Sequence, residues 1–155
     1  MTAHEYTTTV TWTGDTGRGT ADYSAYSRDH RIDIAGKPPM SASSDAAFRG
    51  DPGRWTPEDC LLASISSCHM LWFLDLASEA GWVVHSYVDH ATATMRVNPD
   101  GSGQFTKATL NPEVTISAGD PDLSDRLHDK AHKMCFISRS LNFPVTCTAK
   151  IGVSA

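Results

Sequence analysis

Between Leu61 and Leu74 the chain reads LLASISSCHMLWFL, without a single Asp, Glu, Lys or Arg. A helix start signal precedes the run. Thr56 suits the N-cap, Pro57 the first helical position, and Glu58 and Asp59 the positive end of the helix dipole. The helix is expected to end near Ala80, because Gly81 suits the left-handed residue that closes a helix. A helix apolar on every side is expected to be buried on every side. It predicts the spine of the fold, and any architecture must cover it all round. Cys68 sits in the middle of this run, where packing alone would explain a cysteine.

The remaining segments supply the candidates for that cover. Residues 6–12, YTTTVTW, read as a strand rich in β-branched residues. After the turn GDTG, residues 18–36 read as one or two strands broken near Arg28 and Asp29. Residues 37–55 are rich in Pro, Ser, Gly and Asp and read as one long loop. WVVHSYVDHATATMRVN reads as one long strand, turned at PDGSG onto its partner QFTKATLNPEVTISAG as an antiparallel hairpin. A second, amphipathic helix follows in PDLSDRLHDKAHKMC, with Leu123, Leu127, Ala131 and Met134 at helical spacing. In the last strand, PVTCTAKIGV, Val145, Cys147, Ala149 and Ile151 alternate onto one face. These elements predict one α+β domain over residues 1–155, with antiparallel sheets around a buried central helix. Six or so strands and one other helix leave the central helix short of cover. A second subunit would supply it, so a homodimer is expected.

With 155 residues the chain is long enough for a real core. A net charge of −5 argues against a nucleic-acid partner, which needs a basic surface. No apolar run is counted as long enough to span a bilayer, and the polar N-terminus carries no secretion signal. The expectation is therefore a cytoplasmic protein with no membrane partner. Cys60, Cys68, Cys135 and Cys147 are then expected in a reducing compartment, where a disulfide is catalytic or redox-sensing rather than a permanent staple.

Two constellations could carry chemistry. The first is Cys68 with Cys135. A reactive thiol needs a positive neighbour, and Cys68 lies too deep in its helix for the dipole to serve. Arg18, in the glycine-rich turn GDTGRGT, is a plausible donor. The second is a metal site: His128, His132 and Cys135 fall at i, i+4 and i+7, and imidazole with thiolate suits zinc. No CxxC or HExxH accompanies them, and a fourth ligand would have to come from Cys68 or His69. The bland reading, an exposed histidine on an amphipathic helix, is preferred for His128, so no metal is expected. Cys147 is read as packing, Cys60 as unpartnered, and His85 and His90 as surface residues.

TPEDCLLASISSC, AHKMC and WTGDTGRGTA, in that order, resemble the motifs of the OsmC/Ohr family, peroxidases that reduce organic hydroperoxides with a cysteine pair. The resemblance implies an OsmC-like fold, an intertwined homodimer and a redox-active disulfide in an oxidative stress response, without a cofactor. It makes Cys68 the peroxide-attacking thiol and Cys135 the resolving one. Arg18 becomes the guanidinium that stabilises the thiolate, and Glu58 the carboxylate that holds it. A dithiol would return the electrons. Trp72 and Phe73 are tentative pocket residues for a greasy hydroperoxide. Glu58 and Cys68 lie ten positions apart, about 15 Å along one helix. Two helices crossing antiparallel at the small residues Ala63, Ser64 and Ser67 would set Glu58 of one chain beside Cys68 of the other. Departures point to a side branch: Phe136 stands where these peroxidases usually have Pro, and His69 where an apolar residue is expected. A binding protein for an apolar ligand and a redox sensor are the rival readings.

Overall fold

The central helix starts where its cap dictates. The Thr56 N–H donates to the Asp59 carboxylate at 3.0 Å, and the Asp59 N–H donates back to the Thr56 hydroxyl at 3.1 Å. This reciprocal box satisfies two of the donors that a helix start leaves free. Helix α1 then runs Pro57–Glu79. It closes on Gly81, at φ +78°, with the Trp82 N–H returning to the Ala77 carbonyl at 2.9 Å.

The computed structural model describes residues 2–154 and divides into two compact units, Met1–Cys60 and Leu61–Ala155. In the first unit β1 (Thr9–Trp12), β2 (His30–Asp33) and β3 (Met40–Ala42) form an antiparallel sheet in that order. The strand expected from Tyr6 begins only at Thr9. The expected loop over 37–55 contains β3 and a 3-10 turn, Ala46–Phe48. Pairing of Met40–Ala42 with β2, not local propensity, makes β3 a strand, and Ala42 is buried by it.

In the second unit the long hairpin forms but is broken at a corner. β4 (Val83–Asp89) pairs with β7 (Pro112–Ala118), while β5 (Thr92–Val97) pairs with β6 (Gly103–Leu110) in a different sheet. Asp89 pins the corner. Its carboxylate accepts the Asn111 N–H at 2.7 Å and the hydroxyl of Ser66 on α1. The last strand divides in the same way, into β8 (Val145–Cys147) and β9 (Lys150–Val153). These run parallel to β6 and β7, so both sheets are mixed rather than purely antiparallel. Helix α2 spans Ser124–Met134. Its buried side is Ser124, His128 and Ala131, whereas Met134, expected inside, is exposed.

Two apolar clusters form the core of this unit. Phe73, Leu76, Ala77, Trp82, Val114, Ile116 and Ala131 make one, and Ile65, Ala108 and Leu110 the other. Helix α1 therefore buries the stripe Ile65, His69, Phe73 and Leu76/Ala77, while Ala63, Ser67 and Leu71 face out. Only 28% of its most apolar 18-residue window is buried, so the expectation of burial on all sides fails within one chain. The expectation about membrane spans also needs correcting. By length and composition alone this 23-residue helix could cross a bilayer. Here its inner stripe is core.

Candidate active site

Cys68 projects from the middle of α1, and Cys135 is the residue on which α2 ends. The two thiols are neighbours, close enough for Cys135 to act on the ionisation of Cys68. Cys135 is fully buried, its sulfur accepting the Ser138 N–H at 3.3 Å; Cys68 is half-buried. Burial pushes the Cys68 thiol above its ordinary range, and the neighbouring Cys135 thiol adds to the rise. The backbone N–H groups of Ile137 and Phe136, near the Cys68 sulfur, pull the other way, because they favour the anion. Chain geometry explains them. At Cys135 the backbone leaves the helix for an extended conformation, ψ 111°, freeing the next amides from the helical ladder.

The other expected site residues are distributed as follows. Arg18 lies in the first unit, on a turn built by Asp15, whose carboxylate accepts the N–H groups of Gly17 and Gly19 at 2.8 and 2.9 Å. Both glycines have positive φ, +96° and +53°, which an L side chain would resist. The Arg18 guanidinium is 68% exposed and pairs with Asp22 at 3.2 Å, an ion pair of little strength in water. Other arginines of this unit are engaged more firmly. Arg28 donates to the carbonyls of Tyr23 and Tyr26 and stacks on both rings, and Arg54 bridges Asp29 and Asp51. Glu58 occupies the first turn of α1, ten residues before Cys68 on an unbroken helix.

Trp72 is half-buried, edge-on to the exposed Phe136 ring at 5.6 Å, one turn along α1 from Cys68. Phe73 is fully buried in the core, so the expectation that it lines a substrate pocket is corrected. It stacks on His128 at 4.1 Å between centroids.

That contact leads to a second cluster. His128 is not the exposed histidine expected on α2; it is 4% exposed. Its Nδ1 lies 2.9 Å from Nε2 of His69, which is fully buried, and 3.6 Å from the Cys147 sulfur. From sequence, His69 is only a possible fourth ligand beside His128, His132 and Cys135, and Cys147 reads as packing. A signal existed in each case: a lone histidine in an otherwise uncharged apolar run, and a thiol on the inward register of a strand. With one hydrogen bond between them, both rings sit neutral; burial holds each histidine down to about 4. Burial and the carboxylates of Asp89, Asp125 and Asp129 push the Cys147 thiol up to about 12.

Residues 50–150 match the family model of the OsmC-like proteins. Among solved structures, the chain is similar to an OsmC-like protein of unknown function from Vibrio cholerae. The two share 30% identity over 96% of this chain and 100% of that one, with a TM-score of 0.85. An organic hydroperoxide resistance protein from Elizabethkingia anophelis shares the fold at 13% identity, covering 99% of each chain, with a TM-score of 0.68. The organic hydroperoxide resistance protein OhrB of Bacillus subtilis does so at 18% identity, over 94% of this chain and 98% of that one, with a TM-score of 0.61. No curated protein matches the chain.

Proposed function

This chain belongs to the OsmC-like protein family, and we propose that it is a cysteine-based peroxidase that reduces organic hydroperoxides. The observation that carries the reading is the neighbouring thiol pair, Cys68 and Cys135, with backbone N–H groups close by that favour the Cys68 anion. The hydroperoxide resistance proteins that share the fold supply the substrate class.

The chemistry balances with these groups. The Cys68 thiolate attacks one oxygen of the O–O bond, forming an S–O bond; the other oxygen leaves as alkoxide and takes a proton to become the alcohol. Cys68 is then a sulfenic acid. The Cys135 sulfur displaces its hydroxyl as water, and the Cys68–Cys135 disulfide forms. A dithiol returns two electrons and two protons. The Phe136 and Ile137 amides act first, stabilising the thiolate against burial. We assign Arg18 to complete that stabilisation, its guanidinium, paired with Asp22 in this structure, remaining charged throughout and exchanging that partner for Glu58.

The half-covered helix supports an obligate homodimer with composite sites. Two copies of α1 crossing at the exposed Ala63 and Ser67 would cover Leu71, which is 63% exposed, and would place Glu58 of one chain near Cys68 of the other. Ala63→Trp is expected to weaken self-association and turnover together.

Turnover of cumene hydroperoxide with dithiothreitol tests the reading. Cys68→Ser is expected to fall to background. Without dithiothreitol, Cys135→Ser is expected to consume one equivalent and stop at a trappable sulfenic acid. Undiminished turnover by Cys68→Ser would overturn the assignment, and stoichiometric consumption by wild type would favour a redox sensor instead.

A further inference from the structure

The sequence of α1 placed two reactive residue types side by side, Cys68 and His69, yet the helix turns them to different surroundings. Cys68 meets Cys135. His69 points into the second unit, toward His128 on α2 and Cys147 on β8. One ligand atom from each of these three residues lies within 4.8 Å of those from the other two. They come from three elements far apart in sequence, so the cluster is a product of the fold and not of a local motif.

We propose that His69, His128 and Cys147 form a zinc site, binding through Nε2 of His69, Nδ1 of His128 and the Cys147 thiolate. Two imidazoles and one thiolate suit a borderline-soft divalent ion, and three protein ligands leave the fourth tetrahedral position open. Tetrahedral zinc, with bonds of about 2.0 Å to nitrogen and 2.3 Å to sulfur, separates a nitrogen from a sulfur ligand by about 3.6 Å. The Cys147 sulfur lies 3.6 Å from His128 Nδ1. It separates two nitrogen ligands by about 3.3 Å. The His69–His128 distance of 2.9 Å is that of a hydrogen bond and needs to open by only a few tenths of an ångström.

The state of the imidazoles permits a ligand, and a cavity beside them points to one. The outer nitrogens, Nδ1 of His69 and Nε2 of His128, are buried and have no partner among the described residues. No protein hydrogen bond therefore opposes the tautomers that put both protons outside and both lone pairs toward the ion. The cluster also opens on a cavity of about 490 Å³, whose lining includes Asp125, Asp129 and His132 and no Lys or Arg. That lining suits a cation. His132, one turn beyond His128 on α2, and the two carboxylates border the open coordination position, where water or one of them would complete the sphere. Binding displaces the Cys147 proton to solvent as the zinc–sulfur bond forms.

The full chain, stripped with a chelator and kept reduced, provides the test, with Co²⁺ as the spectroscopic stand-in for Zn²⁺. One Co²⁺ per chain is expected, with a thiolate-to-cobalt charge-transfer band and the intense visible bands of a four-coordinate ion, all erased by Zn²⁺. The band is expected to vanish in Cys147→Ala and to persist in the Cys68→Ser/Cys135→Ser double variant. Should Cys147→Ala fail to fold, wild type alone decides: Zn²⁺ is expected to protect Cys147, mapped by mass spectrometry, from slow alkylation. Absence of the band, its survival in folded Cys147→Ala, its loss in the double variant, or unprotected Cys147 in the presence of Zn²⁺ would each overturn the proposal.

Discussion

Helix α1 carries two stripes that differ by a single residue step. Cys68 and Trp72 form one, and they meet Cys135 and Phe136. His69 and Phe73 form the other, and they meet His128. Residues four apart share a helix face, while adjacent residues are turned by about 100°. The first stripe is half open and offers backbone N–H donors to a sulfur. The second is packed with aromatic rings and imidazoles, and opens at His69, His128 and Cys147 on the cavity bordered by Asp125 and Asp129. The two thiols, both half-buried, thus differ in their neighbours: Cys68 has a second thiol beside it, and Cys147 has imidazoles.

Oxidation should separate the two regions most sharply. One equivalent of cumene hydroperoxide, with dimedone present and Cys135 replaced by Ser, is expected to tag Cys68 and leave Cys147 untagged. The difference is expected to be large, because nearby backbone N–H groups favour the Cys68 anion, whereas burial and three carboxylates push the Cys147 thiol up to about 12. Peptide mapping that found the tag on Cys147 would break the distinction.

Stability gives the next largest effect. Phe73→Ala removes a fully buried ring packed on Trp82, Tyr87 and His128, and is expected to cost about 3–5 kcal/mol in denaturant unfolding. Trp72→Ala, one position earlier, removes a half-buried ring that packs on the edge of the core and against the exposed Phe136 ring, and should cost less, roughly 1–2 kcal/mol. Equal losses would mean that the outer stripe is as firmly packed as the inner one.

Phe136 sharpens the comparison chemically. Burial and Cys135 hold the Cys68 thiol above its ordinary range, so at neutral pH the single chain keeps it protonated, and every donor to the sulfur increases the thiolate fraction. Phe136 contributes an N–H, which proline in its place would lack. A hydrogen bond to a charged group contributes about 1.5–3 kcal/mol. Phe136→Pro is therefore expected to slow alkylation of Cys68 near pH 7 roughly tenfold and to move the rate profile to higher pH. Phe136→Ala keeps the N–H and should leave the profile in place. If alanine slowed the reaction as much as proline, the aromatic ring and not the amide would be the active feature.

Much of this was legible in the chain, for identifiable reasons. Capping chemistry is local, so Thr56, Asp59 and Gly81 placed the ends of α1 to within a residue or so. The thiols of the first stripe were named by the motifs around them. The corner at Asp89 and Asn111 was not legible, since β-rich sequence runs on through His90 and Ala91 without glycine or proline. The polar bonds that pin it join residues 22 apart in sequence. The His69–His128–Cys147 cluster depends on β8 lying parallel beside β6, with Cys147 opposite Leu110. Local periodicity carries no information about that pairing. It favoured His132 and Cys135 as partners for His128, because they share its helix.

The smallest expected effect tests whether the two stripes belong to one rigid element. Thr56→Ala removes the hydroxyl that accepts the Asp59 N–H, and leaves that donor to water at the start of α1. A lost N-cap typically costs about 1 kcal/mol, which for a chain of this size lowers the unfolding midpoint by about 2–4 °C. Cys68 and His69 lie three turns further along, and the stability at their level comes from Ile65, Phe73 and Leu76 packing inward. Fraying of the first turn should not reach them. Dimedone tagging of Cys68 and cobalt binding at Cys147 are therefore expected to stay unchanged while the midpoint falls. If either readout moved in step with the midpoint, the helix would be passing disorder from its cap to its centre, and the two stripes could not be treated as independently set by their own contacts.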